Sequence, residues 1–161
     1  MIDRGYARFA LADFNGAADD FARALALPRD RGYTMMWLYL SREQQSRIIL
    51  GDKYDQQRDG GHSDPVKELL SNTSKLRKSN GQEWPLPIIE VFLGSRSDND
   101  VLGNAKDADE RCEAYFYIGE WLLLRGKRED AIKSLQEAVQ SCRFDFVERA
   151  GAMAELRRLG Q

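Results

Sequence analysis

The sequence contains few of the residues on which metal-binding and catalytic sites depend. It has one histidine and two cysteines among 161 residues, too few for the sets of imidazole and thiolate ligands that hold zinc. Walker A, dinucleotide-binding, nucleophile-elbow and HExxH motifs are also missing. We therefore expect a protein that is not an enzyme and that needs no cofactor and no metal.

An excess of one charge and long apolar segments are lacking too. The formal net charge is −2, and the single small basic cluster, Lys75, Arg77 and Lys78, is typical of a solvated helix end. Nucleic acid is therefore not an expected partner, since its binding proteins carry a basic face. No segment approaches the run of about 18 apolar residues that a membrane span requires, so we expect no direct membrane insertion by this chain.

The one histidine, His62, lies in a segment that also contains Ser63, two glycines and several acids. A hydrolase or metal site could use these side chains. Glycines make such a segment mobile, however, and catalytic groups need rigid placement. The segment is thus predicted to be a flexible loop, and an enzyme that uses the His62 loop is kept as a remote alternative.

Two segments of the chain resemble each other without a gap. The aligned pairs are Gly5 with Gly119, Ala17 with Ala131, Phe21 with Leu135, and Ala24 with Ala138. Each segment is predicted to form two antiparallel helices, whose small residues allow close approach while the larger ones fill the gap to the next hairpin. Helix breaks are expected at Asp13 to Gly16 in the first segment and at Gly126 in the second.

These residues resemble those of the tetratricopeptide repeat (TPR) family, whose unit has about 34 residues. The resemblance implies an all-α fold of TPR-type helical hairpins stacked in a short right-handed α-solenoid. We expect one TPR-like domain over 1–161, composed of a repeat at 1–29, degenerate helices at 33–108, a repeat at 112–143 and a capping helix at 146–160.

The degenerate region contains four predicted helices and one loop. The loop covers 48–63, with a short helical turn at its start as an alternative. The helices are expected from Thr34 to Gln44, from Asp64-Pro65 to Asn80-Gly81, from Pro85 or Leu86 to Leu93, and from a cap at Ser97 or Asp98 toward Asp107.

A narrower resemblance rests on the runs that begin at Trp37, Trp84, Cys112 and Phe144. They are similar to those of NlpI-like bacterial TPR lipoproteins. This resemblance implies a homodimeric periplasmic adaptor that scaffolds cell-wall hydrolases and a processing protease. The sequence departs from that family because it has no lipobox cysteine and no signal sequence. The expected compartment is therefore periplasmic by resemblance, or cytoplasmic if no signal precedes the chain.

In TPR arrays the first helices of successive repeats line a concave groove that binds protein. The resemblance places ten residues of this chain there: Tyr6, Phe9, Leu38, Tyr39, Arg42, Glu113, Phe116, Tyr117, Glu120 and Leu124. Aromatic side chains beside a few charges are typical of protein-binding surfaces. The alternative is that these aromatics pack against neighbouring helices or against a second subunit.

The two cysteines are predicted at the same end of the second hairpin. Cys112 opens its first helix, Cys142 ends its second helix, and the helices are antiparallel. A disulfide can form if the two Cα atoms come within about 7 Å. The alternative is a pair of half-buried free thiols that pack as small hydrophobic groups.

Three functions follow from this sequence. The first is a non-catalytic adaptor that binds other proteins or peptides through its repeats. The second is a self-assembling structural protein whose repeats form only a homo-oligomer interface, and a homodimer is expected in either case. The third and most remote is the enzyme that uses His62.

Overall fold

The computed structural model describes residues 1–27, 31–54, 64–76 and 84–161. Within these ranges the chain is all-helical and has no strand, which confirms the all-α part of the predicted fold. The α-helices of the described ranges are α1 Ile2–Ala10, α2 Phe14–Ala24, α3 Arg31–Leu50, α4 Asp64–Leu76, α5 Leu86–Phe92, α6 Asp98–Asn104, α7 Ala108–Leu124, α8 Arg128–Ser141 and α9 Val147–Arg158.

The chain divides into two compact units, Met1–Ile89 and Glu90–Gln161. The first contains the α1–α2 hairpin, on which α3 packs, and α4, which packs on α3. The second contains the α7–α8 hairpin, on which α9 packs, and α6, which packs on α7. Each of the two similar segments therefore forms a helical hairpin with a third helix behind it.

The first hairpin turns between α1 and α2 at the predicted position. Ala12 takes a left-handed conformation with φ of 63°, and Asp13 caps α2 by accepting a hydrogen bond of 3.0 Å from the Gly16 amide. Gly5 allows the close approach of the two helices, since a Cβ atom there would lie 2.8 Å from the Phe21 ring. Phe21 thus packs over the glycine of its own hairpin.

The third helix of the first unit, α3, covers the contact of Gly5 with Phe21 by means of the Trp37 side chain. The Trp37 ring lies 6.1 Å from that of Phe21 and 5.0 Å from that of Phe9, and all three side chains are at most 1% exposed. Aromatic rings at such distances contribute beyond the area that they bury. The three rings therefore form an aromatic cluster in the core of the first unit.

The first helix of the degenerate region differs from the prediction at both ends, since it begins at Arg31 and not at Thr34 and extends beyond Gln44. Helix α3 continues through Ile48, where a loop was expected, and ends at Leu50 before a 3₁₀ turn at Gly51–Lys53. Its end coincides with Gly51, whose φ of 52° is left-handed and is readily adopted by glycine. The helix opened by Asp64 and Pro65 is present as α4, and its predicted end at Asn80 and Gly81 lies outside the described residues.

The second hairpin repeats the construction of the first. Gly126 provides the turn with φ of 73°, and a Cβ atom on Gly119 would lie 2.8 Å from Leu135 Cγ. Helix α7 begins earlier than expected because Asp107 caps it, accepting a bond of 2.8 Å from the Glu110 amide. The preceding helix, which Ser97 caps as predicted, accordingly ends at Asn104 and not near Asp107.

Candidate protein-binding surface

Most residues assigned to the groove in the first unit are buried. Phe9, Leu38 and Tyr39 are 0%, 1% and 7% exposed. Tyr6 is half-buried, and its ring contacts those of Phe21 and Trp37 at 5.3 and 5.0 Å. Among these five groove residues only Tyr6 and Arg42 therefore retain accessible surface.

Burial is as extensive in the second unit. Phe116, Tyr117, Glu120 and Leu124 are at most 4% exposed, and Glu113 is half-buried. The reason is that α7 packs against α6, α8 and α9, and a helix with neighbours on several sides buries more than one stripe. These positions thus favour the alternative in which the groove residues pack in the interior.

Tyr117 has a polar role in that interior. Its hydroxyl donates a hydrogen bond of 2.9 Å to Glu148 Oε1 on α9. Burial of Glu148, reinforced by repulsion from Glu113, raises the pKa of the Glu148 carboxyl to about 7, since both effects disfavour the charged form. The pair links α7 to α9 and leaves Glu148 close to its protonation midpoint near neutral pH.

The remaining accessible groove residue, Arg42, lines an open cleft between α3 and α4. The volume of the cleft is about 490 Å³, within the range of small ligand sites. Arg42 Nε lies 3.6 Å from Glu68 Oε2 across it. The complete lining is Arg42, Gln45, Ser46, Ile49, Asp64, Pro65 and Glu68.

The lining combines charge with one prominent apolar side chain. Ile49 is 72% exposed although it is a large aliphatic residue. Asp64 and Glu68 lie one turn apart on α4, so their carboxylates face the same side as the Arg42 ion pair. This combination suits a peptide that presents an apolar side chain together with a polar backbone. Sequence reasoning identified Arg42 but missed Ile49, because it assigned Ile49 to a loop.

A disulfide joins Cys112 to Cys142, the two cysteines for which the sequence analysis left a bond and free thiols as alternatives. Their Cα atoms are 4.9 Å apart and both side chains are at most 6% exposed. The bond connects Cys112, the fifth residue of α7, to the residue after α8. It therefore closes the open end of the second hairpin, opposite the turn at Gly126.

Other candidate groups lie partly or wholly beyond the described residues. His62 and Ser63 are among those not described, as are Arg77 and Lys78 of the basic cluster, whereas Lys75 is exposed near the end of α4. In the described ranges no three histidine, cysteine or carboxylate side chains are grouped to hold a metal ion. Among the helices of those ranges, none combines the length and the apolarity that crossing a membrane requires.

A cluster of charged side chains in the first unit, Arg4, Arg8 and Asp20, holds α1 and α2 together. Asp20 is 0% exposed. It accepts two bonds from Arg4, at 2.8 and 2.6 Å, and one from Arg8 at 2.8 Å. The hydrogen bonds from Arg4, followed by the charges of both arginines, lower the pKa of Asp20 to about 2. A carboxylate held in this way fastens α1 to α2 and is a poor proton donor.

No protein-family model matches the sequence, and no solved structure matches the chain.

Proposed function

We propose that this chain is a non-catalytic adaptor of the TPR type, which holds other proteins or peptides on stacked helical hairpins. One observation carries the proposal: the same hairpin recurs in both units. In each, a glycine on the first helix meets a large apolar side chain of the second, Phe21 or Leu135, at 2.8 Å from its Cβ position. Helical-repeat proteins are built from such recurring hairpins and use their surfaces for binding.

The cleft between α3 and α4 is the binding surface of this proposal. It offers the exposed side chain of Ile49 as an apolar anchor and the Arg42–Glu68 pair as a polar edge. Interfaces generally combine an apolar centre with a polar rim. The groove first assigned to Phe116 and Tyr117 is not part of the proposed surface because both side chains are fully buried.

An NlpI-like role in the cell envelope is the more specific form of the proposal. The disulfide between Cys112 and Cys142 supports it, since such bonds form and persist in oxidising compartments such as the bacterial periplasm. Partners of this form would be cell-wall hydrolases or proteases, as the resemblance implies.

The proposal is tested with two neighbouring substitutions, Ile49→Asp and Ile48→Asp. Both isoleucines are about 70% exposed, at 72% and 69%. Only Ile49 lines the cleft, because adjacent residues point to different sides of a helix. Wild type and both variants are immobilised, and proteins captured from the cells of origin are quantified by mass spectrometry. We expect a set of partners that Ile48→Asp retains and Ile49→Asp loses.

The self-assembly alternative predicts a different pattern. In that case no protein other than the chain itself is enriched, and light scattering shows a dimer that Ile49→Asp dissociates and Ile48→Asp does not. Equal capture by all three proteins would contradict the assignment of the cleft.

A further inference from the structure

The linker between α8 and α9 exposes an aromatic side chain to an unusual degree. Phe144 is 90% exposed, although aromatic residues carry a large apolar surface that normally packs. Phe146, two residues later, is half-buried and lies under the guanidinium of Arg143 at 5.1 Å. The linker therefore fixes one phenylalanine against the protein and leaves the other open to solvent.

The exposed Phe144 ring lies next to side chains on one face of α9. The Arg149 guanidinium carbon lies 5.6 Å from the Phe144 ring centroid, and Arg149 Nη1 lies 3.6 Å from Met153 Sδ. Arg157 Nε donates a bond of 3.2 Å to the Met153 carbonyl. We call Phe144, Arg149, Met153 and Arg157 the C-terminal patch. Met153, at 39% exposed, adds a second accessible apolar side chain.

The arginines of the C-terminal patch differ from their neighbours in their electrostatic environment. Arg143 pairs with Asp145 at 3.0 Å and Arg158 pairs with Glu155. In the part of the chain that the structure describes, neither Arg149 nor Arg157 makes an ion pair with a carboxylate. The patch is therefore positively charged on a chain whose formal net charge is −2.

Arg149 is also held in place. Its Nε donates a hydrogen bond of 3.1 Å to the Val139 carbonyl on α8. A guanidinium fixed by one hydrogen bond loses less freedom when it binds a carboxylate, and pairs of this kind are strong and directional. The geometry thus provides a fixed cation beside an apolar surface.

We propose that the C-terminal patch docks an acidic segment of another protein, with a carboxylate on Arg149 and an apolar side chain over Phe144 and Met153. An anionic membrane is the less suitable occupant, because lipid recognition by charge typically uses about four to eight lysines or arginines. The patch has two. This inference concerns a different surface from the α3–α4 cleft and does not depend on it.

A displayed library of random short peptides tests the proposal on the full-length protein. Peptides are selected on the wild type after removal of those that bind Phe144→Ser. We expect the retained sequences to be rich in aspartate and glutamate beside leucine or phenylalanine. Binding of a selected peptide, measured by fluorescence anisotropy, should weaken about tenfold with Arg149→Ala, the effect of losing one charge-assisted bond.

Two further variants keep the test decisive. Arg149→Ala also removes the hydrogen bond to Val139, so its effect on binding needs two further checks. Arg157→Ala removes only a hydrogen bond that is local to α9, and Phe144→Ala changes an exposed position. Each of these two variants should weaken binding several-fold without unfolding the protein. Arg23→Ala removes an exposed arginine that is not part of the C-terminal patch and should change the affinity by less than about twofold, as expected for a change in net charge that salt screens.

Several results would overturn the proposal. These are selected peptides without acidic residues, affinities that Phe144→Ala and Arg157→Ala leave unchanged, or no enrichment at all. Binding of phosphatidylserine vesicles that Phe144→Ala abolishes, with no peptide binding, would assign the patch to a membrane. Dimerisation that the same variant abolishes would assign it to a second copy. The loss of captured partners in Ile49→Asp, which tests the α3–α4 cleft, is independent of all these results.

Discussion

The two hairpins share their central contact and differ in what surrounds it. Gly5 with Phe21 and Gly119 with Leu135 occupy equivalent positions, and the close approach is the same in both. In the gapless alignment the polar cluster of the first hairpin, Arg4, Arg8 and Asp20, corresponds to Ile118, Leu122 and Ser134. We call the contact of a glycine with a large apolar side chain the small-to-large contact. The comparison teaches that this contact determines the hairpin, while the other bonds that hold its two helices together can change.

Each hairpin is fastened in its own way. In the first, buried Asp20 accepts hydrogen bonds from two arginines of α1. In the second, Ser134 donates a bond of 2.7 Å to the Tyr115 carbonyl, and the Cys112–Cys142 disulfide closes the open end. We therefore expect the first unit to respond to acid and the second to respond to reductant.

The largest expected effect comes from removal of the disulfide. The bond closes a loop with a sequence separation of 30. In the chain-entropy model, its loss in the Cys112→Ala, Cys142→Ala double variant should lower the unfolding free energy of the second unit by about 3–4 kcal/mol. Residue-resolved hydrogen exchange measures this for α7 and α8, and the amides of α1 and α2 serve as the internal control. An equal loss of hydrogen-exchange protection in both units would refute the conclusion that each hairpin is held together by its own bonds.

A pH effect of similar size is expected at Glu148. Its pKa rises from 4.5 in the unfolded chain to about 7 in the folded protein, so the folded state binds the proton more tightly. The contribution of Glu148 to the stability of the second unit is then fully present below pH 4.5, falls as the pH rises through this window, and is lost above about pH 7. At 1.36 kcal/mol per pKa unit the loss is about 3 kcal/mol.

The variant Glu148→Gln should remove this pH dependence and stabilise the second unit at pH 8, because the amide cannot ionise and still accepts the Tyr117 bond. Hydrogen exchange, corrected for its intrinsic pH dependence, or denaturant unfolding follows the change. A slope that persists in Glu148→Gln would assign the effect to another group. Asp20 works in the opposite sense: its lowered pKa stabilises the first unit above about pH 4, and that stability is lost as the pH falls toward 2.

An intermediate effect is expected from alanine at the two equivalent glycines. A methyl group on Gly5 would collide with the Phe21 ring, which Tyr6 and Trp37 hold in place. Gly5→Ala should therefore cost about 1–3 kcal/mol. Gly119→Ala should cost less, because Leu135 is an aliphatic side chain with more rotameric freedom than an aromatic ring confined between two others.

Gly103→Ala is the matched control for this pair. Gly103 lies within α6, and nothing is within 4 Å of its Cβ position, so alanine there should stabilise the protein by up to about 1 kcal/mol through helix propensity. Thermal unfolding of the three variants gives the ranking. If Gly5→Ala were as stable as Gly103→Ala, the small-to-large contact would not set the hairpin.

Sequence reasoning located the hairpins but not the accessible surface. The alignment of Gly5 with Gly119, the helix break at Asp13 to Gly16 and the cap at Ser97 depend on local chemistry, and these could be predicted. The burial of Phe116 and Tyr117 could not, because periodicity shows which residues are apolar but not how many helices pack around them. Ile49 was assigned to a loop because glycines and several charged residues follow it from Gly51 onward, whereas α3 continues to the residue before Gly51.

The smallest expected effect concerns the turns, where the two hairpins again differ at one equivalent position. Ala12 and Gly126 both have a left-handed backbone, with φ of 63° and 73°. A side chain disfavours that conformation by about 1–2 kcal/mol, whereas glycine adopts it freely but loses more entropy on folding. Ala12→Gly should therefore stabilise the first unit by about 1 kcal/mol, and Gly126→Ala should destabilise the second by a similar amount.

The paired substitutions isolate the backbone because neither position is crowded. Gly126 has nothing within 4 Å of its Cβ position, and Ala12 is exposed. Ala7→Gly, at an exposed position inside α1, is the control and should destabilise the first unit by about 1 kcal/mol, because glycine is a poor helix former. Opposite signs for Ala12→Gly and Ala7→Gly in thermal unfolding would show that Ala12 is a strained turn residue. The same sign in both would mean that the first hairpin turns without this strain, unlike the second.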